Sequence, residues 1–425
     1  MTNKNAGVLF SVDLMRQIKD RFHYVDFDMR GRRRLFFDNA GGSFRLKTAT
    51  ERHSIIDAIP DCPERIHELA LYLQDVQERG TQDVRTVLNA LNGTVYASLT
   101  ASGAMFDMVR AITENIPGKN MVTSVLEHPS SYDAMEMYAT RTGKELRVAK
   151  SNTMTGGIDV DDVVGLVDEN TCLLSVMYAS NISGAKIDIE KVVSRARAIK
   201  PDLYILVDAV QHAPHGIIDL QKTAVDGINF APYKFFGCRG SGFSWLSPRA
   251  ARLPHNKLAG KAQDFWDLGS PTPSQFAVVT EMVDYVCWLG SQFSGASERR
   301  ALFACGMDRI AQHEQALLFQ MLNGGNGVPG LRKIDGLKVF FDHDDLTTRD
   351  LIVAITFDGL TDTQAVREYE KRGVIVYERV TTSLYSQRML DSFGIKGSVR
   401  VSPLHCNSTE DISQFLEITR ELSLL

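Results

Sequence analysis

The sequence predicts an α/β protein whose main sheet is mostly parallel and is covered by helices on both faces. From residue 94 onward, short apolar segments alternate with amphipathic segments of helical spacing, the pattern of a wound parallel sheet. With 425 residues the chain also exceeds one ordinary domain. We therefore expect a large domain that contains this sheet and a smaller α+β domain.

The composition is that of a globular protein with a sizeable core, since 44% of the residues are hydrophobic and 23% are charged. A net charge of −5 gives no reason to expect nucleic-acid or membrane partners. The first 22 residues contain no apolar core of signal-peptide length, and no run of apolar residues is long enough to span a bilayer. Six dispersed cysteines without a CxxC pair indicate reduced thiols in a cytoplasmic protein and no metal site.

The first part of the chain has few chemical signals. Residues 12–22 have helical spacing, and the basic run at 30–34 is typical of a solvated loop. We expect a strand at 35–38, a tight glycine turn at 39–43 and surface helices within 63–91.

The alternating region defines the large domain. Strands are predicted at 95–99, 121–125, 173–177, 203–207 and 227–231. One helix is predicted to begin within 100–104 and to end at 112. A second begins at Ser130 or Ser131, and a third spans 189–199. Long helices at 275–293 and 298–322 then lead to the smaller domain.

The smaller domain is predicted to hold strands at 337–341 and 351–357 and helices at 362–371 and 409–424. We place the boundaries at residues 1–44, 45–300 and 301–425, with the N-terminal segment packing against the C-terminal domain.

Polar residues follow successive strands of the alternating region: Ser102, His128, Asn181, Asp208, Gln211 and Lys234. Each has an ordinary explanation by itself, such as an N-cap serine or a turn asparagine. In a wound sheet, however, ligands bind at the carboxyl ends of the strands. The six residues together therefore predict one site.

An acid after one strand and a lysine after the next suit a pyridoxal phosphate (PLP) site. Lys234 would form the Schiff base, and Asp208 would keep the pyridinium nitrogen protonated so that the ring accepts electrons. Ser102 and Gly103 open a helix whose amides and dipole suit a phosphate. His128 could stack on an aromatic ring, although it could also merely end a strand.

These residues resemble the class V aminotransferases, in particular the cysteine-desulfurase-like branch of the fold-type I PLP enzymes. The resemblance runs from Phe-Phe-Asp-Asn-Ala at 36–40 to the region of Arg400, nearly the whole chain. Its most specific part is the spacing of Asp208, Gln211 and Lys234 with the Tyr-Lys-Phe-Phe-Gly turn. The resemblance implies the fold-type I architecture.

The resemblance also implies roles for individual residues. Lys234, Asp208 and His128 match the Schiff-base lysine and proton shuttle, the pyridinium partner and the stacked imidazole. The further cofactor contacts are Ser102, Gly103, Asn181, Gln211, Tyr233 and Ser270. Arg400 and Asn39 match positions at the substrate carboxylate. Ser270 is similar to a hydroxyl residue that reaches the phosphate of the neighbouring subunit, which implies a homodimer with shared sites.

The chain departs from the family pattern at three places. Ala231 stands where many members have a phosphate-binding Ser or Thr, and Tyr233 where a His is common. The Tyr233 hydroxyl is a candidate replacement. The loop at 378–386, where desulfurases carry the catalytic cysteine, has none, and Cys406 aligns beyond it. A persulfide-forming desulfurase is therefore disfavoured.

The expected function is a PLP-dependent reaction of a small amino acid through an external aldimine and a quinonoid. An aminotransferase is our first prediction. A cysteine Cβ–S lyase or desulfurase-like enzyme and an amino-acid epimerase are alternatives, and a non-catalytic PLP-fold binding protein is a further one. Arg379 could pair with an acidic substrate side chain. The sequence does not determine which amino acid is the substrate or which of these reactions takes place.

Overall fold

The protein is described here by a computed structural model, which covers residues 5–325 and 327–425. Its helices are α1 Val12–Lys19, α2 Lys47–Asp57, α3 Glu68–Leu88, α4 Ala101–Asn115, α5 Pro129–Thr142, α6 Val160–Val164, α7 Ile189–Ile199, α8 Pro248–Ala251, α9 Pro273–Ser291, α10 Arg299–Asn323, α11 Asp362–Lys371, α12 Gln387–Phe393 and α13 Thr409–Leu422. Its strands are β1 Leu35–Phe36, β2 Thr94–Ser98, β3 Asn120–Ser124, β4 Glu145–Ala149, β5 Thr171–Met177, β6 Tyr204–Asp208, β7 Gly227–Phe230, β8 Gly242–Leu246, β9 Gly324–Gly325, β10 Val328–Pro329, β11 Leu337–Phe340, β12 Val353–Phe357, β13 Val374–Ile375, β14 Tyr377–Val380 and β15 Gly397–Val401.

The large sheet has seven strands in the order β2-β8-β7-β6-β5-β3-β4. Only β8 runs against its neighbours, and the remaining pairs are parallel. The predicted mostly parallel α/β architecture is thus confirmed. The pairing of Met177 with Asp208 and of Asp208 with Asn229 places three strand ends at one level.

Alternate residues of the strands face different cores, as the two-residue period of a strand requires. Leu206 packs with residues of α4 and α5, whereas Ile205 and Val207 pack with residues of α7. Both faces of the sheet are therefore covered, which explains why these strands are nearly continuous apolar runs.

The C-terminal part forms a second, antiparallel sheet in the order β11-β12-β15-β14. It shares a hydrophobic cluster with α10, α11 and α13. The N-terminal strand β1 pairs in parallel with β13, and Leu35 and Phe37 belong to this same cluster. The predicted domain boundaries remain a prediction.

Several predicted elements have the observed bounds, and others differ. The helices predicted at 189–199 and 362–371 are α7 and α11. The predicted turn at 39–43 contains a 3₁₀ helix, Asn39–Gly41. The strand β8 was not predicted from the sequence. It follows directly after a glycine-rich turn and runs antiparallel to β7, whereas the sequence pattern indicated parallel strands connected by helices. Within the described ranges, none of the helices is both long and apolar enough to cross a membrane; the cytoplasmic location remains a prediction.

Candidate active site

Two adjoining cavities lie at the carboxyl ends of the large-sheet strands. We call the first the inner cavity; its volume is ≈ 290 Å³, and all six predicted strand-end residues line it. The second, the outer cavity, has ≈ 210 Å³ and is lined also by residues of the 38–41 turn and of the small sheet. Four residues line both cavities: His128, Asn181, Tyr233 and Lys234.

Lys234 ends a 3₁₀ helix, Pro232–Lys234, that follows β7. Its side chain is buried, and Nζ donates to Gln211 Oε1 at 3.3 Å. Burial and the guanidinium of Arg400 lower the pKa of Lys234 to about 8, although the Asp208 carboxylate acts in the opposite direction. The amine is therefore partly neutral near neutral pH and can act as a nucleophile or base.

Asp208 is the last residue of β6 and is buried at the wall of the inner cavity. Its oxygens accept hydrogen bonds of 3.0 Å each from the Ser131 hydroxyl and from the Val210 backbone N–H. Burial raises the pKa of this carboxyl, whereas the two hydrogen bonds and the Lys234 ammonium oppose that rise. Both oxygens are thus held in a fixed orientation.

His128 is the N-cap of α5, and its Nδ1 accepts a hydrogen bond from the Ser130 backbone N–H at 3.2 Å. Burial and the Lys234 charge lower the pKa of His128 to about 3. The imidazole is therefore a neutral aromatic ring at physiological pH, positioned between the two cavities.

The N-terminus of α4 forms another wall of the inner cavity through Thr100, Ala101 and Ser102. Thr100 caps the helix, and its Oγ1 accepts from the Gly103 N–H at 3.0 Å. Gly103 itself does not line the cavity. A helix N-terminus of this kind suits a phosphate.

Two arginines line the outer cavity. The buried Arg400 forms an ion pair with Asp38, 2.7 Å from Nη2 to Oδ1, and donates to the Asn181 carbonyl at 3.1 Å. Arg379 donates from Nη2 to the Tyr385 carbonyl at 2.8 Å. Burial and the neighbouring Arg400 lower the pKa of Arg379 to about 10. Positive charge thus concentrates beside Lys234.

Besides Gly103, two predicted residues lie outside both cavities. The Asn39 amide donates to the carbonyls of Phe36 and Ser402 and accepts from the Phe44 N–H, so it holds the turn together. The amide already has backbone partners, and its assignment to the substrate carboxylate remains a prediction. Ser270 is exposed and hydrogen-bonded to Glu64; its predicted contact with a second subunit remains a prediction.

The sequence reasoning missed Ser131, which supports Asp208, and Asp38, which pairs with Arg400. Asp38 was visible in the quoted 36–40 motif, but nothing in the local pattern linked it to Arg400. Arg239, in the glycine turn after Lys234, was also missed.

No cysteine is among the residues lining either cavity. Cys406 is completely buried, 3.7 Å from Nε2 of His405, and burial raises the pKa of its thiol well above the ordinary value. Within the described ranges, no three His, Cys, Asp or Glu residues are grouped to hold a metal ion.

A family model described as "Aminotransferase class-V" matches residues 36–415. The chain belongs to the class V aminotransferase family. Similar curated proteins include "Probable cysteine desulfurase 2" of Mycobacterium leprae, 25% identical over 327 residues, or 73% of this chain and 74% of the relative. A "Probable cysteine desulfurase" of Halalkalibacterium halodurans is 24% identical over 365 residues, 81% of this chain and 86% of the relative.

Solved cysteine desulfurases share the fold of this class V protein. The enzyme CsdA (S-sulfonic acid) from Escherichia coli has a TM-score of 0.79 at 18% identity and covers 98% of this chain and 100% of its own. An apo cysteine desulfurase from Thermococcus onnurineus NA1 has a TM-score of 0.78 at 18% identity, and the match covers 92% of this chain and 95% of that structure's chain. The architecture is therefore that of the fold-type I PLP enzymes.

The class V family is PLP-dependent, and the inner cavity fits that cofactor. It contains one buried carboxylate and one buried lysine. Asn181 Oδ1 is also buried there and has no hydrogen-bond partner among the described residues, so the cavity has a polar atom for a ligand to satisfy. The protein is thus a PLP-dependent enzyme of the class V family.

Proposed function

We propose that the protein is an aminotransferase acting on a small α-amino acid. The observation that carries the proposal is the position of Lys234. Its buried amine lies between an inner cavity with a fixed carboxylate and an outer cavity with two arginines. In this position the amine of Lys234 would carry a proton between a cofactor site and a substrate site.

The inner cavity would hold the cofactor. Asp208 would face the ring nitrogen and His128 the face of the ring, while Asn181 and Gln211 would contact the ring substituents. Ser102 and the N-terminus of α4 would bind the phosphate. When bound, PLP supplies an aldehyde that condenses with amines and a ring that accepts electrons.

Arg400 would bind the substrate α-carboxylate in the outer cavity. A planar guanidinium can donate two parallel hydrogen bonds to a carboxylate. Arg400 already holds one carboxylate, that of Asp38, at 2.7 Å. An incoming substrate carboxylate would share or replace this partner, so the site is preformed for an anion.

Lys234 would move the proton of the reaction. Its neutral amine would take the proton from the substrate Cα and hold it at Nζ, between the two cavities. His128 cannot compete as an acid, because its pKa is lowered to about 3. Burial of Lys234 keeps bulk water from exchanging with the proton in transit.

A persulfide-forming desulfurase is disfavoured, because that reaction needs an enzyme thiolate and no cysteine lines the cavities. A Cβ–S lyase that releases sulfide directly needs no such thiol. This is the second candidate, and the names of the relatives, cysteine desulfurases, favour it.

Product analysis distinguishes these functions. The purified protein should be yellow, and Lys234→Ala should lose the yellow absorption band of the lysine-bound cofactor. A panel of amino acids would then be scored for keto acid, ammonia and sulfide. Keto acid with the amino group retained on the cofactor supports the aminotransferase, whereas sulfide release from cysteine supports the lyase. A colourless protein that cannot take up PLP contradicts both.

A further inference from the structure

Arg239 is a cation at the inner cavity that the reaction described above does not use. It lies with Gly240 and Ser241 in the turn between Lys234 and β8, and all three line the cavity. Its guanidinium carbon lies 4.4 Å from the centre of the Tyr233 ring. Within residues 5–325 and 327–425, its side chain has no hydrogen bond or ion pair. The residue is exposed, and a cation–π contact with the Tyr233 ring positions its guanidinium.

The turn that carries Arg239 stands beside the N-terminus of α4. A Cβ atom at Gly242 would lie 2.2 Å from the backbone nitrogen of Ala101, so the two backbones touch where β8 begins. Arg239 and the first residues of α4 line this same cavity, and a Cβ at Gly42 would lie 2.9 Å from Nη2 of Arg239.

This end of the cavity lacks a carboxylate. The single acidic residue lining the inner cavity is Asp208, on β6, and three strand steps separate β6 from β2, the strand before α4. At about 4.8 Å a step, Asp208 is remote from that end. Arg45 does not line this cavity; its guanidinium donates to the Tyr233 carbonyl at 2.7 Å, and burial and Arg239 lower its pKa to about 10. An anion is the ligand that this surrounding favours.

The usual hydroxyl donor is also missing here. Ala231 lines the inner cavity with a methyl group, three residues before Lys234. A phosphate held by the α4 amides would therefore receive no hydrogen bond from the side chain of residue 231.

We propose that Arg239 binds the phosphate group of PLP and replaces the hydroxyl donor that Ala231 lacks. The planar guanidinium can donate two hydrogen bonds to phosphate oxygens, and the Tyr233 ring holds it in place. Tyr233 thereby acts through its ring face. Arg239 is a cofactor-binding residue of this chain, and the assignment rests on the PLP dependence of the family.

The test compares PLP with pyridoxal, which lacks the phosphate. Holoenzyme is stripped of cofactor, and each aldehyde is titrated into the apo form while its absorption band is followed. In Arg239→Met the dissociation constant for PLP should rise about tenfold or more. The constant for pyridoxal should change less than twofold, and Arg239→Lys should recover part of the PLP affinity.

Arg141→Met is the matched control, because Arg141 is an exposed arginine at the far end of α5. It should leave both dissociation constants unchanged. Equal losses for PLP and pyridoxal in Arg239→Met would mean that the residue acts on the fold, and unchanged PLP affinity would mean that it does not touch the phosphate. Either result overturns the proposal. Far-ultraviolet circular dichroism of each apo variant separates misfolding from lost binding.

Discussion

At the scale of single residues, the charge state of Lys234 is set by its surroundings. Burial, Arg400 and Arg379 all disfavour the ammonium form, and Asp208 and Asp38 favour it. The result is a pKa of about 8, below the 10.5 of an ordinary lysine. A group that must alternate between nucleophile and acid benefits from a pKa near the working pH.

The apo protein should therefore capture PLP faster as the pH rises towards about 8, and the rate should then level off, because the neutral amine attacks the aldehyde. In Arg400→Met the midpoint should move upward. That change removes a cation and leaves Asp38 unpaired, and both effects favour the ammonium form. Stopped-flow absorbance measures the rate. A midpoint near 10.5 in the unaltered protein would contradict this account of Lys234.

Arg379 is predicted to contact the substrate side chain. It lines the outer cavity, and its one hydrogen bond among the described residues goes to the Tyr385 carbonyl, so further donors are available. If it pairs with an acidic side chain, Arg379→Ala should lower the preference for aspartate over alanine about tenfold or more. The ratio of the two kcat/KM values is the measurement, with Arg379→Lys as the charge-retaining control. An unchanged ratio would remove Arg379 from substrate selection.

At the scale of elements, α9 and α10 approach each other through glycines. A Cβ at Gly290 would lie 2.0 Å from the Leu302 carbonyl oxygen, and one at Gly306 would lie 2.2 Å from that of Val286. Neither helix can therefore accept a methyl group at its contact without moving. These two helices join the large sheet to the small one along the chain, and α10 contributes to the hydrophobic clusters of both sheets.

Gly290→Ala should lower the free energy of unfolding by about 1–3 kcal/mol, the range expected for overpacking. In a helix without such a close contact, the same change would stabilise the protein, because alanine is a better helix former than glycine. Urea unfolding of the apo protein measures the difference. Gly295→Ala is the control, since a Cβ there meets no atom within 4 Å and should leave stability nearly unchanged. If Gly290→Ala left the free energy of unfolding unchanged, the two helices would be able to move apart without cost, contrary to this prediction.

At the scale of the whole molecule, we propose a homodimer in which Ser270 reaches the phosphate of the neighbouring subunit. Ser270 is exposed, and the rim of the inner cavity exposes Leu99 with 83% of its surface accessible. Leu268, near Ser270, is also exposed. A second chain would cover such apolar side chains beside the cavity.

Light scattering should accordingly give a molar mass twice the 47.3 kDa of one chain. Ser270→Ala should weaken PLP retention and leave the molar mass unchanged, because a single hydroxyl contributes to the phosphate contact rather than to the interface. A monomer that binds PLP fully would contradict the shared site.

The sequence by itself determined the wound sheet and the six residues at its strand ends. Apolar periodicity is a local property, and parallel strands connected by helices bring their carboxyl ends to one edge. For that reason Ser102, His128, Asn181, Asp208, Gln211 and Lys234 could be grouped without coordinates, and the structure places all six on one cavity. The family pattern at 36–40 and around Lys234 then indicated the cofactor.

Only the tertiary structure decided which side chains are free to act. The pair of Arg400 and Asp38, the support of Asp208 by Ser131 and the use of the Asn39 amide within its own turn all depend on distances in space. Arg400 and Asp38 lie 362 positions apart, and no local pattern carries information over such a separation. The close approach of Gly242 to Ala101 also depends on the tertiary fold, because it arises where β8 lies next to β2.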